Sequence, residues 1–354
     1  MWLACRIFCT RLIAFPRFIV GICPRNMAST FVLAFDIYIT QVKKLLDILF
    51  CRKSLHLSDD QFDFPIQKKS PAPNKFGVFF FCPHGIKRTL YFKYMKPIIK
   101  WSGGKTDEID EIMKHVPASY DTYVEPFVGG GALFFHMAPQ KSVINDVHSD
   151  LINLYSEIKN GNGNQIWNLM DASEFTEEEY YKVRDVYTPT TPAEKAFQFY
   201  YLRKTCYRGM LRYNKKGKFN IPYGRYANVN YEDVRNAQYH DVLSRATIHN
   251  EDFSFVFDKY NSENNFCFID QPYDSEFTDY GYCKFAHPEQ ERLAAAFKAS
   301  KMKCLMIVGD TPYIRELYSD YVVGSYPKNY RFRLHSGRVG NEINKDHLVI
   351  KNYS

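Results

Sequence analysis

This 354-residue chain contains no clean run of about 18 apolar residues, the length a membrane-spanning helix requires. Its apolar opening, Met1 to Cys23, is interrupted by Arg6, Arg11 and Arg17, with Arg25 just beyond. No membrane partner is therefore expected. A secretory leader fits poorly too, because Arg11 falls inside the would-be apolar region and no clear small-residue cleavage site follows. Cysteine is present but unpatterned. The nine cysteines form no repeated framework, and no His or Cys pair follows Cys5 and Cys9 at zinc-finger distance. This argues against a disulfide scaffold and a metal centre, and for free thiols in a reducing compartment. The Walker spacing G-x-x-x-x-G-K-[ST] is missing, although Ser102-Gly103-Gly104-Lys105 offers glycine and lysine together. There is no internal repeat and no low-complexity tract. The net charge of +7 is mild, so its placement says more than its total.

What remains is an ordinary globular composition, 45% hydrophobic and 24% charged. The first 94 residues differ from the rest. They hold Cys5, Cys9, Cys23, Cys51 and Cys82, and residues 52–94 mix Lys, Ser, Pro and Phe without a sustained period. The expectation is an extension over 1–94 outside the catalytic domain, with Met95 as the true start. That leaves 260 residues, close to what one catalytic domain with an insert needs.

From Met95 onward, apolar strands alternate with helical patterns, which implies a mostly parallel α/β sheet. Residues 121–135 read as a short strand, a glycine turn and a helix start. Lys141 to Val147 reads as a second strand. A helix opens near Asp150, with Leu151, Leu154, Tyr155 and Ile158 at helical spacing. Phe266 to Asp270, Lys303 to Val308 and His347 to Lys351 read as strands, and Glu289 to Ser300 as a helix. Between 163 and 250 the pattern changes, implying an inserted module of helix and hairpin between catalytic segments 95–162 and 251–354. Arg203 to Arg225 holds eight basic residues and no acidic one, interleaved with Tyr207, Tyr213, Phe219 and Tyr223. Cations neutralise phosphates and aromatics contact bases, so Arg203, Lys204, Arg208, Arg212, Asn214, Lys216 and Arg225 are the expected DNA contacts.

Three motifs carry the chemistry. In Glu125-Pro126-Phe127-Val128-Gly129-Gly130-Gly131 the glycines let backbone approach a ligand, at the end of a strand where cofactors bind in parallel sheets. Asp146 ends the next strand, 15 residues after Gly131, where an acid can meet ribose hydroxyls. Trp101 and Lys105 bracket two glycines and offer a flat apolar face and a cation for a carboxylate. Asp270-Gln271-Pro272-Tyr273 follows a buried-type strand. An adenine amine is a poor nucleophile because its lone pair is delocalised into the ring. The Asp270 carboxylate and the residue 271 carbonyl can accept its two N–H bonds and favour a pyramidal nitrogen. Tyr273 can stack on the base, which must leave the duplex to be reached. Phe277 and Tyr280 are further candidates for the base pocket.

In order and content these blocks resemble the Dam-type DNA adenine-N6 methyltransferases of the D12 class. The similarity covers about residues 96–353. It includes Asn145-Asp146, Asp150-Leu151-Ile152-Asn153 and Arg212 through Gly224 (Arg-Tyr-Asn-Lys-Lys-Gly-Lys-Phe-Asn-Ile-Pro-Tyr-Gly). The resemblance implies a Rossmann-like S-adenosylmethionine-dependent methyltransferase fold with an inserted target-recognition module. It implies cofactor contacts at Trp101, Lys105, Asp146 and Asp270, beside Phe127, Gly129 and Gly131 of the glycine turn. It implies methyl transfer to adenine N6 in double-stranded DNA, often within GATC-like sites, with no metal. The expected protein is a monomer, with a cognate restriction endonuclease as partner. It works inside a prokaryotic cytoplasm, or in the cytoplasm or nucleus of a virus-infected cell. Where the family carries a second proline, this chain has Gln271. Pro272 still biases residue 271 toward extended geometry, and the required group there is a main-chain carbonyl. Two other readings are an RNA or protein-glutamine methyltransferase, which use related tetrads, and a catalytically silent DNA-binding relative.

Overall fold

The computed structural model describes residues 75–81, 87–272, 285–329 and 344–354. The chain divides into two units, Met1–Pro65 and Ile66–Ser354, and every described residue belongs to the second. Two strands, β1 (Lys75–Phe81) and β2 (Lys87–Lys93), pair antiparallel in a sheet of their own. This hairpin lies in the stretch whose sequence shows no sustained period.

The main sheet has seven strands in the order β5-β4-β3-β6-β7-β9-β8. They are β3 (Tyr123–Glu125), β4 (Ser142–Asn145), β5 (Ala246–His249), β6 (Phe266–Ile269), β7 (Lys303–Gly309), β8 (Val322–Asn329) and β9 (Asn344–Lys351). The pairings among β5, β4, β3, β6 and β7 are parallel, while β9 runs antiparallel between β7 and β8. The chain steps outward from β3 to β4 and β5, then returns to β6 on the other side. The strand order reverses between β3 and β6, and crevices at such a switch point, beyond the carboxyl ends of the strands, are where α/β sheets bind ligands.

Both faces of the sheet are covered, which is why its strands read as continuous apolar runs. Alternate residues serve opposite cores. Tyr123, Phe266, Phe268, Leu305, Ile307 and Val349 face one side. Val124, Cys267, Ile269, Cys304, Met306 and Val308 face the other. The first side is packed by α2 (Ala132–Met137), α3 (Ser149–Lys159), α4 (Gly163–Asp171), α5 (Glu177–Asp185), α6 (Pro192–Thr205) and α7 (Ala237–Ser244). The second is packed by α8 (Phe253–Tyr260), α9 (His287–Ala299) and α10 (Pro312–Leu317). A short α1 (Ile109–Ile112) precedes β3. Leu151, Leu154, Tyr155 and Ile158 are buried on α3, as their helical spacing implies.

The segment 163–250, expected as an insert, packs on the core of the main sheet. Helices α4 to α6 share one continuous apolar cluster with β3 and β6. Its far end belongs to the sheet, because β5 is the edge strand beside β4. Four residues of moderate apolarity, Ala-Thr-Ile-His, carry too weak an alternation to announce an edge strand. Between α6 and α7 the chain forms a tight excursion, tied by bridges Cys206 to Tyr223 and Tyr213 to Phe219. Cys206, Cys267 and Cys304 are free and buried. Among the described residues, no helix is long and apolar enough to cross a membrane.

Candidate active site

Four segments meet at the switch point: the loop Lys100–Lys105 before α1, the glycine turn after β3, Asp146 after β4, and Asp270 after β6. The turn is held by backbone. Val128 N–H donates to the Asn145 carbonyl (2.8 Å) and Gly131 N–H to the Val128 carbonyl (2.7 Å). The Asn145 amide bridges the Pro126 and Glu251 carbonyls (3.0 and 2.9 Å), so Asn145 ties the strand ends together. Gly129 has φ +45°, a left-handed conformation that glycine adopts without a steric penalty. Its side also touches Trp101, since a Cβ there would lie 2.7 Å from the indole Cδ1. The indole is therefore seated directly on the glycine turn. The Arg203 guanidinium lies 5.5 Å from its ring centre, and the His148 ring packs against it nearly perpendicular with centroids 5.4 Å apart.

Asp146 is buried and accepts two backbone N–H groups, from Gly129 to Oδ2 and from His148 to Oδ1, both at 2.9 Å. Burial pushes its carboxyl from 3.8 up to about 6, against these hydrogen bonds. Glu125, at the end of β3, is driven well above the ordinary carboxyl range by burial and accepts the Tyr123 hydroxyl (2.8 Å). Burial thus favours its neutral form. His148 Nδ1 accepts the Leu151 N–H that caps α3 (3.2 Å), which leaves Nε2 to donate to the Tyr213 hydroxyl (2.8 Å). Burial lowers His148 to about 4, so this imidazole is neutral. It links the Asp146 loop to the basic excursion.

Asp270 is one-fifth exposed and pairs through Oδ1 with Lys105, which is 1% exposed. Burial raises the Asp270 carboxyl and the Lys105 charge opposes that rise. Lys105 also donates to the Gly103 carbonyl (3.1 Å). Behind this pair lies a second acid absent from the sequence-based expectations, Glu108. Its two oxygens accept Lys328 Nζ (2.9 Å), His347 Nδ1 (2.6 Å) and the Tyr326 hydroxyl (2.6 Å). Burial alone would raise Glu108, but the His347 hydrogen bond and the Lys105 charge hold it down at about 2. The sequence signal was slight, an acid three residues after Lys105. In the tetrad, Gln271 is buried, and the Pro272 carbonyl accepts Gln290 Nε2 at 3.0 Å. Tyr273, Phe277 and Tyr280 lie outside the described residues. Among the described residues, no group of three or more His, Cys, Asp or Glu is placed to hold a metal ion.

The basic segment divides by burial. Arg203, expected to contact DNA, is instead 2% exposed on α6 and donates to the Met210 and Lys100 carbonyls. It is a clamp on the Trp101 loop. Lys204 is largely buried, paired with Asp233 (3.5 Å) over the Tyr200 ring. The remaining candidates, Arg208, Arg212, Asn214, Lys216 and Arg225, are exposed. Asn214 Oδ1 accepts the N–H groups of Lys216 (2.9 Å) and Lys218 (3.1 Å), shaping the tip of the excursion. Arg212 Nε donates to Asn220 Oδ1 (2.8 Å) across it.

Comparison with known proteins agrees with this geometry. The family model described as D12 class N6 adenine-specific DNA methyltransferase matches residues 101–333. The Type II methyltransferase M.CviBI of Paramecium bursaria Chlorella virus NC1A is 51% identical over 261 residues, which span 73% of this chain and 100% of that protein. The Type II methyltransferase M.MjaIII of Methanocaldococcus jannaschii is 35% identical, over 58% of this chain and 80% of its own. The DNA adenine methylase of Serratia marcescens is 31% identical, over 64% and 88%. The chain belongs to the D12 class of N6 adenine-specific DNA methyltransferases, and its mostly parallel seven-strand α/β sheet is consistent with their fold. The RNA and protein-glutamine readings are thereby set aside.

Two predictions follow from the turn and from Asp146. Gly129→Ala should displace the Trp101 indole and weaken binding of the methyl donor at least about tenfold by isothermal titration, since a misplaced contact propagates directly to the ligand. An unchanged affinity would contradict the seating of the indole on the turn. The Asp146 carboxylate, titrating near 6 in the free site, is favoured in its charged form by any hydroxyl it accepts. Donor affinity should therefore rise with pH up to about 6 and level off above it, and Asp146→Asn should flatten that limb. A wild-type affinity independent of pH between 5 and 7, on the order of one unit either side of Asp146, would refute the assignment.

Proposed function

We propose that the methyl donor is S-adenosylmethionine and that it lies against the glycine turn between Trp101 and Asp146. The observation that carries this reading is the charge at the strand ends. Burial favours the neutral form of Glu125, Asp270 is balanced by Lys105, and Asp146 supplies a carboxylate held by two backbone N–H groups. Such a site favours a ligand with hydroxyls and a cationic centre over a phosphate-bearing one. The close approach at Gly129, where a Cβ would meet the indole, supports a cradle for a ligand of that shape. When bound, S-adenosylmethionine supplies a sulfonium-activated methyl group, so the protein need not generate an electrophile.

The chain's own residues then act on the base. Asp270 accepts one N–H of the extruded adenine amine and the Gln271 carbonyl accepts the other. The nitrogen lone pair is turned out of conjugation toward the methyl group. Lys105 keeps Asp270 ionised, so that it can accept. Tyr273 stacks on the base. The exposed Arg208, Arg212, Asn214, Lys216 and Arg225 hold the phosphates and edges of duplex DNA, at a GATC-like site. Tyr213 ties their excursion to His148 and so to the donor site. The catalytic unit comprises residues 95–162 and, from edge strand β5 onward, 246–354, with the recognition insert between them, and residues 1–94 precede it. The 261 residues matched to the whole of the viral relative support a unit of that size. The enzyme acts as an intracellular monomer without a metal, alongside a restriction endonuclease. The relatives named Type II methyltransferases favour such a pairing.

With tritiated donor and unmethylated genomic DNA, label should appear at adenine N6. Asp270→Ala should lower its incorporation by about 10²–10³, the loss typical of one preorganised group, while affinity for DNA changes little. Donor and DNA binding without incorporation by the wild-type protein would instead establish the silent relative.

A further inference from the structure

The tetrad of this chain lacks the proline that would fix residue 271, and two buried carboxamides flank the gap. Gln271 is 2% exposed, and its Nε2 reaches Met306 Sδ on β7 at 3.4 Å. Gln290 is 0% exposed, lies in the first turn of α9, and donates Nε2 to the Pro272 carbonyl at 3.0 Å. The Oε1 atoms of both residues are buried without a hydrogen-bond partner. A buried orphan acceptor is destabilising, and an apolar side chain of the same volume would avoid it. Folding stability therefore does not explain why amides stand here. What each amide does contribute is an N–H donor beside the tetrad.

The two anchors bracket one peptide. The bond between Gln271 and Pro272 carries the carbonyl that is to accept the adenine amine. On one side the Gln271 side chain is lodged against β7. On the other the Pro272 carbonyl is tied to α9. Pro272 has no N–H and a fixed φ, so fixing its carbonyl settles the remaining soft torsion of that residue. Residue 271, free in φ where proline would be locked, is restrained through its side chain. Helix α9 packs against the same face of the sheet as Met306, so both anchors rest on one rigid layer.

We propose that Gln290 is a positioning residue for methyl transfer. Together with the Gln271 side chain it holds the residue 271 carbonyl in its accepting orientation, replacing the rigidity a proline would give. The inference rests on the reading of the tetrad given above and adds to it a residue 20 positions from Asp270.

Steady-state methylation of duplex DNA tests this. Gln290→Met preserves volume and removes the donor. It should lower kcat roughly 10- to 100-fold, the scale of a small misplacement of reacting groups, with KM for donor and DNA nearly unchanged. Gln290→Glu places a buried carboxyl there, whose pKa burial raises. Protonated, it donates to the Pro272 carbonyl. Ionised, it repels it. Its kcat should therefore fall as pH rises through that ionisation, a limb absent from the wild type. Gln271→Pro introduced into Gln290→Met should recover most of the lost kcat. Three outcomes would overturn the proposal: kcat equal in wild type and Gln290→Met, a parallel loss of kcat, binding and melting temperature, or no recovery with Gln271→Pro. Absence of methylation by the wild type itself would fall on the proposed function, because the positioning role is read only from ratios to active wild-type enzyme.

Discussion

The site depends on one largely buried ion pair, Lys105 with Asp270. Each residue alone would be an uncompensated charge at the end of the sheet. Removing one partner of such a pair typically costs about 3–5 kcal/mol, or forces the other to neutralise. Pairing favours the charged form of Asp270 and ties down the loop between Trp101 and α1. Glu108 sets the next layer. Its charge is held by His347, Tyr326 and Lys328, which come from the two strands at the far edge of the sheet. The antiparallel β9 thus brings a buried imidazole partner to a site otherwise made by parallel strands.

A second constraint is the close contact of Trp101 with Gly129. It makes the loop before the sheet and the turn after β3 into one surface. Arg203 closes that surface from the insert side, donating to carbonyls on both the Trp101 loop and the start of the basic excursion. His148 does the same through Tyr213. The basic excursion is therefore joined to the Trp101 and Asp146 loops by one buried guanidinium and one neutral imidazole.

Much of this was legible in the sequence because the chemistry sits in short segments. A glycine triplet after a three-residue strand, an acid ending the next strand and an Asp-x-Pro-aromatic tetrad each have local causes. So do the helices, whose spacing at Leu151, Leu154, Tyr155 and Ile158 matches their burial. The Glu108 hub was not legible, because His347 lies 239 residues away and meets it only once β9 is inserted. Edge strand β5 was absorbed into the insert for want of a strong period. Arg203 was misjudged because counting charges ignores the face they stand on. Ala196, Phe199, Tyr200 and Arg203 fall at i, i+3, i+4 and i+7 of α6 and are buried together. The Lys105–Asp270 pair is a contact across 165 residues, which no local pattern announces.

That pair is the claim on which the rest stands, and the pH profile of Lys105→Met tests it most directly. Without the ammonium, burial acts on Asp270 unopposed and its pKa rises further. The variant should lose kcat at low and neutral pH and regain it as the pH increases, with donor KM little changed. A loss of equal size at every pH, accompanied by a raised KM for the donor, would mean that Lys105 serves the ligand and not Asp270.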